Sequence, residues 1–264
     1  MKLGFIGTGN MASAIMGGLI KKEILKPTEI IGADLSEAGR ERAHQEFGIN
    51  VTGDNKEVVR QSEVILLSVK PQYYEDVIGE VKDLITDQQI VITIAPGKTL
   101  SWLSEQFGKP VKIARTMPNT PAMVGEGMTA VSFNELLSKE EKDYVLTLLE
   151  SFGKVEVVAE NLMDGIVALS GSSPAYVFIL IEAMADEAVL SGIPRAQAYK
   201  IAAQAVLGSA KMVLETGKHP ADLKDMVCSP AGTTIAAVRR LEEKGFRSSI
   251  IEAMQECVKV SKSL

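Results

Sequence analysis

Gly7-Thr8-Gly9-Asn10-Met11-Ala12 follows the apolar run Lys2–Ile6 directly and opens a helical pattern. Gly7 permits a tight turn, and Gly9, lacking a Cβ, lets the backbone approach a pyrophosphate. Ala12 keeps the helix close to the strand. The helix that starts there aims its free N–H groups and positive dipole end at the phosphates. A glycine turn alone says little, but here the strand before it and the helix after it agree on a dinucleotide grip. Asp34 ends the next β-type run, roughly 20 residues past the glycines. A carboxylate there accepts from a ribose 2′-hydroxyl and repels a 2′-phosphate, which leans toward NADH. The other reading is that Asp34 or Ser36 caps the following helix. Arg40 and Arg42 lie close enough in sequence to compensate a phosphate, so the choice between NADH and NADPH stays open.

Val69-Lys70-Pro71 closes the run Val64–Val69, where ligands of open α/β sheets sit, outside the carboxyl ends of the strands. Lys70 is either a phosphate or carboxylate partner or a solvated loop lysine, and Ala95-Pro96-Gly97 holds the same position after the next run. Three later segments are unusual in composition. Arg115-Thr116-Met117-Pro118-Asn119-Thr120-Pro121-Ala122 follows a strand with two rigidifying prolines. Ser170-Gly171-Ser172-Ser173-Pro174-Ala175-Tyr176 places small hydroxyl residues ahead of a helix. Val227-Cys228-Ser229-Pro230-Ala231-Gly232-Thr233-Thr234 ends one helix and opens another. This last segment has the makings of an anion cradle, with exposed N–H groups at a helix start and hydroxyls from Ser229, Thr233 and Thr234. It also reads as an ordinary helix–helix turn with a Ser/Thr cap.

The elements that must position these residues change character along the chain. Strands are predicted at Lys2–Ile6, Ile30–Asp34, Val64–Val69, Ile90–Ile94 and Val111–Arg115, each a near-continuous apolar run suited to a parallel sheet buried on both faces. Helices are predicted between them at Met11–Lys22, Glu37–Phe47, Tyr74–Leu84 and Leu100–Phe107. A further hairpin or strand pair, Met128–Phe133 and Lys154–Val158, flanks a helix at Lys139–Ser151. After about Asn161 strand-like runs vanish, and long helices follow at Ser173–Ser191, Arg195–Thr216 and Phe246–Ser261, with shorter ones between. The stop–start signals are Gly192-Ile193-Pro194 and Thr216-Gly217-Lys218-His219-Pro220. The fold class expected is α/β, a Rossmann-type doubly wound sheet followed by an all-helical domain.

Composition excludes several partners. The net charge of −6 over 264 residues offers no basic field for nucleic acid or an anionic membrane. Cys228 and Cys257 lack metal-ligand spacing, and His44 and His219 lie far apart in sequence, so no metal site is expected. The apolar run Ala175 to Ile193 carries Glu182, Asp186 and Glu187, which argues against a membrane span. The start runs into a strand with no leader before it, and rare cysteines fit a reducing compartment, so a cytoplasmic location is expected. The apolar helix Pro174–Ser191 reads as core or dimer-interface material.

From end to end the sequence resembles the pyrroline-5-carboxylate reductase family. The carriers are the opening GxGxMA, VKPQ at Val69–Gln72, RTMPNTPA at Arg115–Ala122 and SGSSPAY at Ser170–Tyr176. The long signature HPADLKDMVCSPAGTTIAAVRRLE at His219–Glu242 is the most specific. The resemblance implies NAD(P)H-dependent reduction of 1-pyrroline-5-carboxylate to L-proline, the last step of proline biosynthesis. It implies a dinucleotide-binding domain at 1–161 and a helical substrate-binding and dimerisation domain at 162–264. It also implies a homodimer, for some members a larger assembly of dimers, and an active site between one subunit's cofactor domain and helices of the dimer.

Carried over by position, the cofactor contacts are Gly7, Thr8, Gly9, Asn10, Met11, Ala12, Asp34, Asn55, Val69, Lys70 and Pro71. The substrate carboxylate meets Val227 to Thr233, chiefly Val227, Ser229, Gly232 and Thr233, and Thr234 hydrogen-bonds the imine nitrogen as the catalytic side chain. Three residues depart from the pattern: Ala231 where a second glycine is usual, Ser173 where glycine is common, and Pro96 in an alanine-rich loop. Asp34 also departs from the small polar residue often found there. A hydroxyacid dehydrogenase of similar plan would want a lysine on the first helix of the second domain, and Ser170–Ile193 has none. A regulatory protein that binds NAD(P) with little turnover is the remaining alternative, which the intact Thr234 disfavours.

Overall fold

Short apolar runs buried along their whole length build the framework. The computed structural model describes residues 1–263. Its strands are Leu3–Ile6 (β1), Ile30–Ala33 (β2), Asn50–Thr52 (β3), Val64–Leu67 (β4), Ile90–Thr93 (β5), Lys112–Met117 (β6), Gly127–Phe133 (β7) and Gly153–Val157 (β8). They form one eight-stranded sheet in the order β3-β2-β1-β4-β5-β6-β7-β8. Pairing is parallel from β3 to β6, and β7 runs antiparallel to β6 with β8 parallel to β7. Alternate strand residues face two cores. Leu3, Phe5, Leu66 and Ile92 enter one, while Ile6, Ile65, Leu67 and Val91 enter the other. Burial of both faces is why these strands read as continuous apolar runs rather than alternating ones.

The helices beside the sheet are Asn10–Lys21 (α1), Glu37–Phe47 (α2), Asn55–Gln61 (α3), Tyr74–Val81 (α4), Leu100–Phe107 (α5), Lys139–Leu149 (α6) and Met163–Ile166 (α7). Then come Ser173–Leu190 (α8), Arg195–Thr216 (α9), Pro220–Val227 (α10), Thr233–Glu243 (α11) and Phe246–Ser261 (α12). Sequence patterns missed β3 and α3, because an edge strand of three residues and a two-turn helix carry too little periodicity to register. The expected pair at Met128–Phe133 and Lys154–Val158 is β7 and β8. It is a parallel crossover through α6 and not a hairpin. The run expected to reach Val69 stops at Leu67, where Ser68 turns its hydroxyl back to the carbonyls of Ile6 (3.2 Å) and Gly7 (2.6 Å).

Two compact units divide the chain, residues 1–172 with the C-terminal residues from Cys257 onward, and Ser173–Glu256. The first holds the sheet. The second is helical, with α8 packed on α9. Among the described residues its buried hydrophobic side chains are Ala185, Ala198 and Ala202 alone. Phe178, Ile179, Leu190, Leu207 and Leu214 stand exposed on it. By length and composition the helical stretch Glu160–Leu190 is also apolar enough to cross a membrane.

Candidate active site

The switch point of the sheet lies between β1 and β4, whose onward connections go to opposite sides. Gly7 leaves β1 there with φ +99, a conformation that favours glycine. A Cβ on Gly7 would lie 2.7 Å from the Ser68 carbonyl, so the approach of the two strand ends also requires glycine. Gly9 takes the N-cap of α1 with no side-chain cap, and nothing lies within 4 Å of where its Cβ would be. The first-turn N–H groups of α1 are therefore left to an outside acceptor. Ala12 is fully buried against the sheet core, as the fingerprint requires. An uncapped helix start beside an open glycine backbone fits a dinucleotide pyrophosphate.

Thr8 is fully buried and faces Asp34. Its N–H and hydroxyl both donate to Asp34 Oδ2, at 2.9 and 3.0 Å. Asp34 Oδ1 accepts from the Ser36 N–H at 2.9 Å. Of the two residues offered as the cap of α2, Ser36 does the capping, accepting from the Gly39 N–H. Partial burial pushes the Asp34 carboxyl up, but the donors from Thr8 and Ser36 and the charge of Arg40 outweigh it and hold it below its ordinary value. Arg40 Nη1 donates to the carbonyls of Asp34 (2.7 Å) and Leu35 (3.2 Å), and Arg42 Nη2 to the carbonyl of Thr8 (3.0 Å).

Asn55 opens α3. Its amide donates to Glu80 at 2.8 Å, and Asp54 supplies the cap. After β4, Val69 is partly buried, Lys70 is exposed, and Pro71 starts a single 3₁₀ turn into α4. That loop rests on a buried chain of hydroxyls. Thr116 donates to the Thr93 carbonyl (2.8 Å), Thr93 to Tyr74 (2.9 Å) and Tyr74 to the Leu67 carbonyl (2.7 Å). Burial pushes the Tyr74 phenol far up, so it stays a neutral donor.

The segment Arg115–Ala122 meets Ser170 within the first unit. Asn119 donates to the Ser170 carbonyl (3.0 Å) and accepts from the Met128 N–H (2.8 Å). Ser170 and Gly171 belong to a π-helical turn, Val167–Gly171, a rare form frequent at functional sites. Arg115 is buried and paired with Glu160 at 2.9 Å, and the same carboxylate oxygen accepts from Leu100 N at the start of α5.

In the second unit, His219 caps α10 by accepting from the Ala221 N–H at 3.1 Å. The turn that follows is tight, with Gly232 N donating to the Ser229 carbonyl at 3.0 Å. Ala231 sits in it at φ +58, the left-handed region that disfavours a residue with a Cβ. This gives the glycine-to-alanine departure a physical meaning as backbone strain. Gly232 then becomes the N-cap of α11 without a side-chain cap, and a Cβ there would collide with the Ser229 hydroxyl. The Ser229 hydroxyl, the N–H groups of Thr233 and Thr234 and the partly buried Thr234 side chain thus gather at one helix start. Met11 packs against the sheet core, and Asn10, Val227 and Thr233 are placed by these two turns. Ser68 is the site neighbour that sequence reasoning missed, and a serine closing an apolar run was its visible signal.

Residues 160–264 match the family model for pyrroline-5-carboxylate reductase dimerisation, and residues 2–97 match that for NADP oxidoreductase, coenzyme F420-dependent. The pyrroline-5-carboxylate reductase of Escherichia coli is 52% identical over 263 residues, covering 100% of this chain and 98% of that protein. The chain belongs to the pyrroline-5-carboxylate reductase family. Solved structures agree. The pyrroline-5-carboxylate reductase of Coxiella burnetii superposes with a TM-score of 0.91 at 35% identity, covering 99% of this chain and 97% of that one. The Plasmodium falciparum pyrroline carboxylate reductase with NADP bound gives 0.91 at 30%, covering 100% and 97%. The sheet domain is thus the Rossmann-like dinucleotide-binding part of a pyrroline-5-carboxylate reductase, and the helical domain is the family's dimerisation domain. A helical unit whose buried apolar side chains are three alanines has no core of its own, so a second copy supplies it.

Proposed function

We propose that this chain reduces the C=N bond of 1-pyrroline-5-carboxylate to give L-proline, with NADH or NADPH as the electron donor. The observation that carries it is the likeness to pyrroline-5-carboxylate reductases across the whole chain, 52% identical to that of Escherichia coli. The dinucleotide is assigned to Gly7 through Ala12, with Asp34, Asn55 and Val69 to Pro71 around it. When bound, the reduced nicotinamide supplies a hydride, and the protein's part is position and electrostatics. The first-turn N–H groups of α1 meet the pyrophosphate, and the Ser68 hydroxyl holds the Gly7 turn in shape.

The substrate carboxylate is assigned to the turn from Val227 to Thr233. There the uncapped N–H groups of α11 and the Ser229 hydroxyl are donors, and the helix dipole favours negative charge. Thr234 is the catalytic side chain. Its hydroxyl orients the imine nitrogen, accepting from it when protonated, or passes it a proton as the amine forms. The protonated imine is already electrophilic at C5, so neither a histidine nor a carboxylate pair is needed. The division into a dinucleotide domain at 1–161 and a substrate and dimerisation domain at 162–264 follows the same assignment. A cytoplasmic location and an assembly of dimers above the single dimer belong to it too, the latter testable by sedimentation.

The test is nicotinamide absorbance of purified protein with NADH or NADPH, with the imine acid added last. Oxidation that starts on that addition and yields proline supports the assignment. Absence of oxidation with either cofactor overturns it.

A further inference from the structure

We infer that Asp34 selects the cofactor, and that it selects NADH over NADPH; this rests on the assignment of Gly7 to Ala12 to a dinucleotide. Asp34 follows β2 beside the glycine turn, where Gly7 N donates to the Ala33 carbonyl at 2.8 Å. Its carboxylate is fixed by three donors, Thr8 N–H and hydroxyl on Oδ2 and Ser36 N–H on Oδ1. An ionised carboxylate oxygen accepts about two hydrogen bonds. Oδ2 is therefore saturated, and Oδ1 keeps the capacity to accept one more. A ribose 2′-hydroxyl is a donor and matches it. A 2′-phosphate brings acceptors and negative charge to a carboxylate that is locked in place and cannot swing aside.

The guanidinium groups that could offset that repulsion are each tethered to backbone by one nitrogen. Arg40 is held by two backbone carbonyls, those of Asp34 and Leu35, and Arg42 by the carbonyl of Thr8. Helix α2 offers a phosphate one N–H fewer, because Ser36 satisfies the Gly39 N–H of its first turn. Gly39 lies beside Asp34, where a Cβ on it would come within 3.3 Å of Oδ1. The selection arises from the Thr8–Asp34 clasp and not from the acidic residue type alone.

Calorimetric titration of the purified protein with NADH, NADPH, 5′-AMP and 2′,5′-ADP reads the choice without turnover. NADH should bind about tenfold or more tightly than NADPH, and 5′-AMP more tightly than 2′,5′-ADP by a similar factor, from like-charge repulsion at close range. Asp34→Ser should narrow or invert both ratios. NADPH binding as tightly as NADH to the unaltered protein overturns the inference and leaves the cofactor site standing. Binding of neither dinucleotide overturns the site and the inference together. An Asp34→Ser protein with unchanged ratios also overturns it, and if that variant does not fold, the mononucleotide pair on the unaltered protein decides.

Discussion

Thr8 gives both its backbone N–H and its hydroxyl to a single oxygen of Asp34, at 2.9 and 3.0 Å, joining the glycine turn after β1 to the end of β2. The two residues are 26 positions apart, and the bond pair fixes the shape of the turn from the side opposite Ser68. Because these donors prefer the charged carboxylate, Asp34 contributes to stability through its ionisation.

That contribution has a defined pH window. The folded carboxyl titrates below its unfolded value of about 3.9, so its stabilisation is fully present above that pH. It is lost as pH falls through the folded value. Urea unfolding from pH 6 down to pH 2 should show Asp34→Asn less stable than the parent at neutral pH, with the difference shrinking below about pH 4. A difference that is flat across this range would mean that the clasp does not depend on charge.

Ala231 holds a left-handed conformation, φ +58, in the turn between α10 and α11. Ala231→Gly should stabilise the protein by roughly 0.5–1 kcal/mol, the relief of the Cβ clash less the added entropy of the unfolded glycine. Urea midpoints at matched protein concentration check this, since dimerisation makes stability concentration-dependent. A lower midpoint for the variant would show that the turn tolerates alanine without strain.

Gly232→Ala should displace the Ser229 hydroxyl, because the new methyl occupies its place. The expected signature is a rise of about tenfold in KM for the imine acid, as for a lost hydrogen bond to a charged group, with cofactor affinity unchanged. Equal losses in the affinities for substrate and dinucleotide would point to unfolding of the turn and not to a lost contact.

Thr234→Ala should lower kcat by roughly ten- to a thousandfold, the scale of one transition-state contact. Dinucleotide binding, measured by titration, should not change, and Thr234→Ser should recover most of the rate. Undiminished proline formation by the alanine variant would remove Thr234 from the mechanism.

Glu160 holds the buried Arg115 and the start of α5 with one oxygen. Glu160→Gln should cost roughly 2 kcal/mol, less than for a fully buried pair because the glutamate is partly exposed. Thermal unfolding checks it, and an unshifted midpoint would mean that solvent compensates the arginine.

The sequence by itself determined the run of strands and helices, the glycine turn at the switch point and the change to an all-helical second part. These depend on local periodicity and backbone chemistry, which a few adjacent residues encode. Helices α2, α5, α9 and α12 match their expected bounds for that reason. What only the tertiary structure decided are relations between residues distant in the chain. Asp34 could be read as a ribose acceptor or a cap; its clasp to Thr8 became visible only when β1 and β2 lay side by side. The sense of β7 and β8 is set by which strand edges meet, and no short window records that. The strain at Ala231 is likewise set by the two helices that its turn must join, because the same three letters, Pro-Ala-Gly, permit other turns.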